Sequence, residues 1–201
     1  MPTIVTHAVV GAGLFLAVGH GRPGARIGAV AAAALSVLPD ADALLLRWIP
    51  YHAPWGHRGL THSLAFAAAA GIAAALVLRR RVELPGGLPH LAFLLALVAA
   101  THPVLDMLTD GGLGIAVWAP FRADRYLLPW RPLPVSPLTI DPGNPWLWHV
   151  IGMEAWMLWP AAVALGTLRM ALPWWMRISI LVAVAGSAVP WLAGGAGLRP
   201  V

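Results

Sequence analysis

Histidines and carboxylates recur along this chain at spacings that suit a shared chemistry. His102 and Asp106, in "THPVLD", stand four residues apart and so lie on adjoining turns of one helix face. An imidazole and a carboxylate placed this way can chelate one cation, or can serve each other as a buried hydrogen-bonded pair. Pro103 between them can loosen the local helix and help aim both groups. His57 and His62 are five apart, too far round for one face of a regular helix. Both still reach one pocket if His57 precedes a helix whose first turn carries His62, with Thr61 or Ser63 as the cap. Arg58 offers a planar, permanently charged fork suited to phosphate, or else is an interfacial anchor. Asp40 and Asp42 follow Pro39 in "LPDAD". If Pro39 opens the helix, both acids can bind metal or one can act as general base; a plain helix end would leave them solvated. His7 is either a ligand or a packed, hydrogen-bonded histidine. Glu154 is either a ligand or the partner of an arginine in 122–131.

The elements that carry these groups belong to lipid. The chain has 201 residues, 59% hydrophobic and only 10% charged, where a soluble domain carries about 25% charged residues. Eleven tryptophans suit membrane interfaces. All thirteen basic residues are arginine, and a net charge of +5 spread along the chain is not a basic patch, so no nucleic-acid partner is expected. Cysteine is absent, which excludes thiolate metal sites and disulfides. The N-terminal stretch lacks a basic n-region and a small-residue cleavage site and is read as a retained first span.

Apolar runs at 4–19, 27–48, 60–78, 88–108, 146–170 and 174–193 predict an all-α, polytopic membrane bundle of about five to six spans. The chain is expected to form one integral-membrane domain, residues 1–201. The Pro/Gly-rich connection 109–145 is too short in apolar residues to cross, and is expected to be a re-entrant or interfacial cap. Successive spans alternate in direction. Starts of odd spans and ends of even spans therefore share a side, and this brings His7, Asp40, Asp42, His57, His62, His102, Asp106 and Glu154 to one membrane face. A carboxylate near a helix centre costs about 2.5–3.5 kcal/mol on insertion scales. Five of the eight acids gather on or beside this face, and such convergence calls for a site.

Histidine and carboxylate ligands without thiols suit zinc or another divalent cation, and the supply of ligands allows one or two ions. A metal pair can ionise water and clamp the oxygens of a displacement, with Asp40 or Asp42 as general base. Arg58, Arg122, Arg125 and Arg131 are the candidate phosphate contacts, and lipid is both the solvent and a candidate substrate. A phosphoester hydrolase is the reaction class expected. Two other classes stay open: a cation or proton transporter or channel, since intramembrane His and Asp also line ion paths, and a non-catalytic protein stabilised by its metal. With six spans, an arginine tally that sets aside Arg58 and the loop arginines places the site on the outer face. That tally counts Arg199 outside.

"THAVVG" at 6–11, "LPDAD" at 38–42, "GHRGLTHS" at 56–63 and "HPVLDMLT" at 102–109 resemble the LexA-regulated, membrane-bound metal-dependent hydrolases of the YdjM type. "APFRADRYLLPWRPLPVSPL" and "EAWMLWP" look like one branch of that family. The likeness runs from about residue 6 to 160. It implies a helical protein of the bacterial or archaeal cytoplasmic membrane, grouped with zinc-dependent phospholipase C and related nucleases. The zinc ligands it implies are His7, Asp40, His62 (or His57), His102 and Asp106. The second His-x3-Glu pair of that group is missing here, since His149 and Glu154 are five apart.

Overall fold

The computed structural model describes residues 1–192; residue 193 of the sixth expected span, and Arg199, lie outside the described residues. Among the described residues there are seven α-helices and no strand: α1 Ile4–Gly19, α2 Ala25–Val37, α3 Leu64–Leu78, α4 Gly87–Met107, α5 Pro145–Met157, α6 Trp159–Thr167 and α7 Trp174–Leu192. Two 3-10 segments, Leu38–Leu45 and Leu60–His62, join α2 to α3 by way of a turn-rich stretch. Three helical segments are long and apolar enough to cross a bilayer: Ala25–Leu45, Gly87–Met107 and Trp174–Trp191. A fourth exists if α5 and α6 form one span. The helices α1 and α3 are apolar but shorter. Where the sequence predicts one continuous fifth span, the chain breaks at Leu158 and α6 leaves α5 at 45°. Pro160 beside that break cannot donate to a continuing helical ladder.

Local signals set the helix starts. Thr3 caps α1 and accepts from the Thr6 amide, Ser63 caps α3 and accepts from the Phe66 amide, and Asn144 caps α5 ahead of Pro145. Ser63, not Thr61, is thus the cap of α3. Helix α1 packs on α2 and α6, α3 lies along α4, and α2 and α1 close against α4. Small residues permit the close approach: a Cβ on Gly71 of α3 would stand 2.3 Å from the Ala96 amide nitrogen of α4. Phe15, Leu35, Leu91, Leu95 and Val98 fill the centre. Outside, Val77, Phe93, Leu181 and Val182 are well exposed, as side chains solvated by lipid should be.

The 109–144 segment is tied by backbone hydrogen bonds to itself and to residues of the site segment. Ile115 and Tyr126 exchange both backbone hydrogen bonds at 2.9 Å, and the amides of Asp110 and Leu128 bond to Leu133 and Met107. Ala116 N donates to Arg58 O, and Leu64 N donates to Val117 O. The last two bonds tie Arg58 and Leu64 to the 109–144 segment.

Candidate metal centre

His7 lies in the first turns of α1 and His102 and Asp106 in the last turns of α4, while Asp40 and His62 come from the two 3-10 segments. Pro39 opens the Leu38–Leu45 segment, whose tighter winding turns both Asp40 and Asp42 inward. His62 closes the short turn just before α3 instead of lying in its first turn. All of these side chains are buried, His7, His62, His102 and Asp106 completely.

His7 Nε2 stands 3.3 Å from Asp106 Oδ1. Asp40 Oδ1 stands 3.4 Å from both His62 Nε2 and His102 Nε2. Asp106 Oδ2 is 3.7 Å from His62 Nε2 and 3.9 Å from His102 Nε2. The rings of His7 and His102 stack at 3.8 Å. Hydrogen bonds have donor–acceptor distances of about 2.7–3.2 Å, so these separations are too long. Three of them, at 3.3–3.4 Å, equal the spacing of neighbouring donors about a tetrahedral cation with arms of about 2.0–2.1 Å, while the two Asp106 Oδ2 contacts at 3.7 and 3.9 Å are longer. Both oxygens of Asp40, both of Asp106, both nitrogens of His7, and Nε2 of His62 and of His102 are buried without a hydrogen-bond partner. Each orphan of this kind costs about 1–3 kcal/mol. A cation among them would remove that cost, so the residues present fit a metal. Two triads have donor atoms mutually within 4.8 Å: His7, His102 and Asp106, and Asp40, His57 and His62.

Outer partners set the donor atoms. His102 Nδ1 donates to the Ser36 carbonyl at 2.7 Å, which leaves Nε2 as the bare acceptor facing the cluster. Asp42 does the same for its neighbours. Its Oδ1 is 2.6 Å from His57 Nδ1, and its Oδ2 accepts from Thr61 Oγ1 at 2.5 Å and lies 3.2 Å from His62 Nδ1. The two acids of "LPDAD" are thereby separated in role: Asp40 has free oxygens inside the cluster, and Asp42 orients histidines.

Arg58 is buried, with φ +63. Its Nη1 donates to Gly111 O at 2.8 Å, its Nη2 to Thr109 Oγ1 at 3.3 Å, and its Nε lies 3.5 Å from Asp106 Oδ2. Gly112 (φ +94) makes room for it, since a Cβ there would stand 2.0 Å from Nη1. The other sequence candidates lie elsewhere. Glu154 is buried, but Thr3 N, Thr3 Oγ1 and Thr6 Oγ1 donate to its carboxylate at 2.5–3.1 Å, so it anchors the start of α1. His149 is exposed and stacks on Trp146. Arg125 donates to the carbonyls of Tyr51, Ala53, His57 and Gly114, pinning the loop to the site segment. Arg122 and Arg131 are exposed; Arg122 borders a separate cavity of about 300 Å³ that touches none of the ligand candidates.

Several participants are not among the residues singled out from the sequence. Ser36 acts through its carbonyl, Tyr51 stacks edge-on against His57, and Thr109 takes Arg58. Thr109 does end the "HPVLDMLT" stretch, a position that hints at involvement. Burial raises the Tyr51 phenol above its ordinary pKa, so it stays a neutral donor.

Bundle and cluster together define a helical integral membrane protein with a buried His/Asp metal-type pocket. The chain belongs to the YdjM inner membrane protein family, which it matches over residues 1–193. It is 32% identical over 179 residues to the inner membrane protein YbcI of Escherichia coli (strain K12), covering 88% of this chain and 99% of that relative. No solved structure matches it.

Proposed function

We propose that the cluster holds a divalent cation, zinc by its donor set, and that the protein is a metal-dependent hydrolase of a lipid-borne phosphoester. The observation that carries this reading is the set of buried, partnerless donor atoms on His7, Asp40, His62, His102 and Asp106. Two donor triads give room for one ion or two. When bound, such an ion acidifies water and polarises a phosphoryl oxygen.

The chain's own residues do the rest. Ser36 and Asp42 hold His102 and His62 in the tautomers that point bare nitrogens inward. Asp42 also fixes His57 through Nδ1, and His57 Nε2 lies 3.2 Å from Met1 Sδ at the cavity wall. Arg58, held by Gly111 and Thr109, supplies a fixed positive charge for a phosphate. In this reading the chain crosses the bilayer six times, with α5 and α6 as one broken span. The 109–144 segment caps the site, which faces the outer side.

The transport reading predicts ionisable groups strung through the membrane depth, whereas here they gather in one cluster. The test is elemental analysis of detergent-purified wild type beside His102→Ala/Asp106→Ala, followed by turnover of lipid phosphates. Stoichiometric zinc in the wild type and loss in the double variant is expected. Equal metal in both removes the site, and metal without turnover of any phosphoester removes the hydrolase.

A further inference from the structure

Every candidate ligand is buried, so a substrate needs a way in. Among the described cavities, one of about 320 Å³ reaches the cluster, and it does so at His57 and Arg58. The remainder of its lining includes Tyr51, Met1, Leu113 and Leu138. Building on the hydrolase reading, we propose that this cavity admits the substrate, and that it takes a phosphate monoester carried on a single long alkyl chain.

Three features point to that class. At the inner end stands the Arg58 guanidinium, held by Gly111 O and Thr109 Oγ1, a fixed positive charge that draws an anionic head. Beside it lie the Tyr51 phenol and His57, whose Nδ1 is on Asp42 and whose Nε2 is 3.2 Å from Met1 Sδ. Towards the mouth the wall is aliphatic, and Leu113 and Leu138 are 56% and 52% exposed. Ile140, close by in sequence, is 69% exposed. A tail leaving the cavity thus continues over apolar surface, while a water-soluble ester would leave that surface uncovered. The volume is at the low end of ligand pockets, about 300–1,000 Å³. It suits a head and the first stretch of one chain, and is small for a glycerol backbone bearing two.

The absence of cysteine makes the test clean. Ser136, also in the cavity wall, becomes a unique thiol in Ser136→Cys, a near-isosteric change. Its alkylation by N-ethylmaleimide is timed in nonionic detergent with dodecyl phosphate, inorganic phosphate, dodecanol or a two-chain phosphatidic acid. Dodecyl phosphate at ten times its Kd is expected to slow labelling about tenfold. The other three should leave the rate unchanged, as should dodecyl phosphate with Glu83→Cys on the α3–α4 loop. Leu113→Cys, nearer the mouth, gives the same readout if the Ser136 variant folds poorly. Absence of protection by dodecyl phosphate overturns the proposal. So does equal protection by inorganic phosphate, by dodecanol, or by the two-chain lipid. Zinc content of the same samples separates the two readings. Protection in a metal-free preparation supports the cavity and refutes the metal centre; zinc without protection refutes the cavity alone.

Discussion

Asp42→Asn separates an orienting carboxylate from a reacting one. The native carboxylate serves three groups at once: His57 Nδ1 at 2.6 Å through one oxygen, and Thr61 Oγ1 at 2.5 Å and His62 Nδ1 at 3.2 Å through the other. An asparagine of nearly the same volume keeps one acceptor and replaces the other with an NH2. Either His57 or His62 then faces a donor and must turn or change tautomer. Loss of such an outer-shell partner typically lowers metal affinity about 10–100-fold, or about 1.4–2.8 kcal/mol. Competition between detergent-purified protein and a zinc chelator should show that weakening, with full occupancy recovered at higher zinc. Asp40→Asn, which removes a carboxylate with two free buried oxygens, should fail to recover. If Asp42→Asn holds zinc as tightly as wild type while turnover collapses, Asp42 reacts directly and the division of roles is wrong.

Other outcomes follow from the same geometry. Glu154→Gln keeps only part of the acceptor that serves Thr3 and Thr6. It should lower stability by about 1–3 kcal/mol in a detergent unfolding experiment while zinc content stays stoichiometric; lost zinc with unchanged stability would make Glu154 a ligand. Gly112→Ala puts a methyl 2.0 Å from Arg58 Nη1 at a φ of +94. It should cost about 1–3 kcal/mol and reduce phosphoester turnover with zinc retained, measured by melting and assay in parallel. Arg58→Lys keeps a charge but loses the paired bonds to Gly111 and Thr109. Its KM for a lipid phosphate should rise at least about tenfold, a cost of about 1.4 kcal/mol; an unchanged KM would show that Arg58 only braces the loop.

Much of this site is legible before any folding is considered, because membrane solvation imposes a local rule. Apolar runs long enough to span must be helices, and reading successive runs as alternating in direction is what brings His7, Asp40, His62, His102 and Asp106 together on paper. The His102–Asp106 spacing then fixes a shared face by helical period alone. The choice among competing partners is a different kind of fact. Asp40 and Asp42 differ in sequence only by position, and their roles part because the 3-10 winding after Pro39 aims one at His102 and the other at His57 and Thr61. Glu154 is an acid near the end of α5, and only the approach of Thr3 and Thr6 at the start of α1 takes up its oxygens. Arg125 and Arg58 are both arginines near the site, yet one is spent on four loop carbonyls while the other lies against Asp106. Hydropathy and periodicity are properties of neighbouring residues. Which buried donor satisfies which acceptor depends on contacts that span from 15 to 151 residues of sequence, and those exist only once the helices have packed.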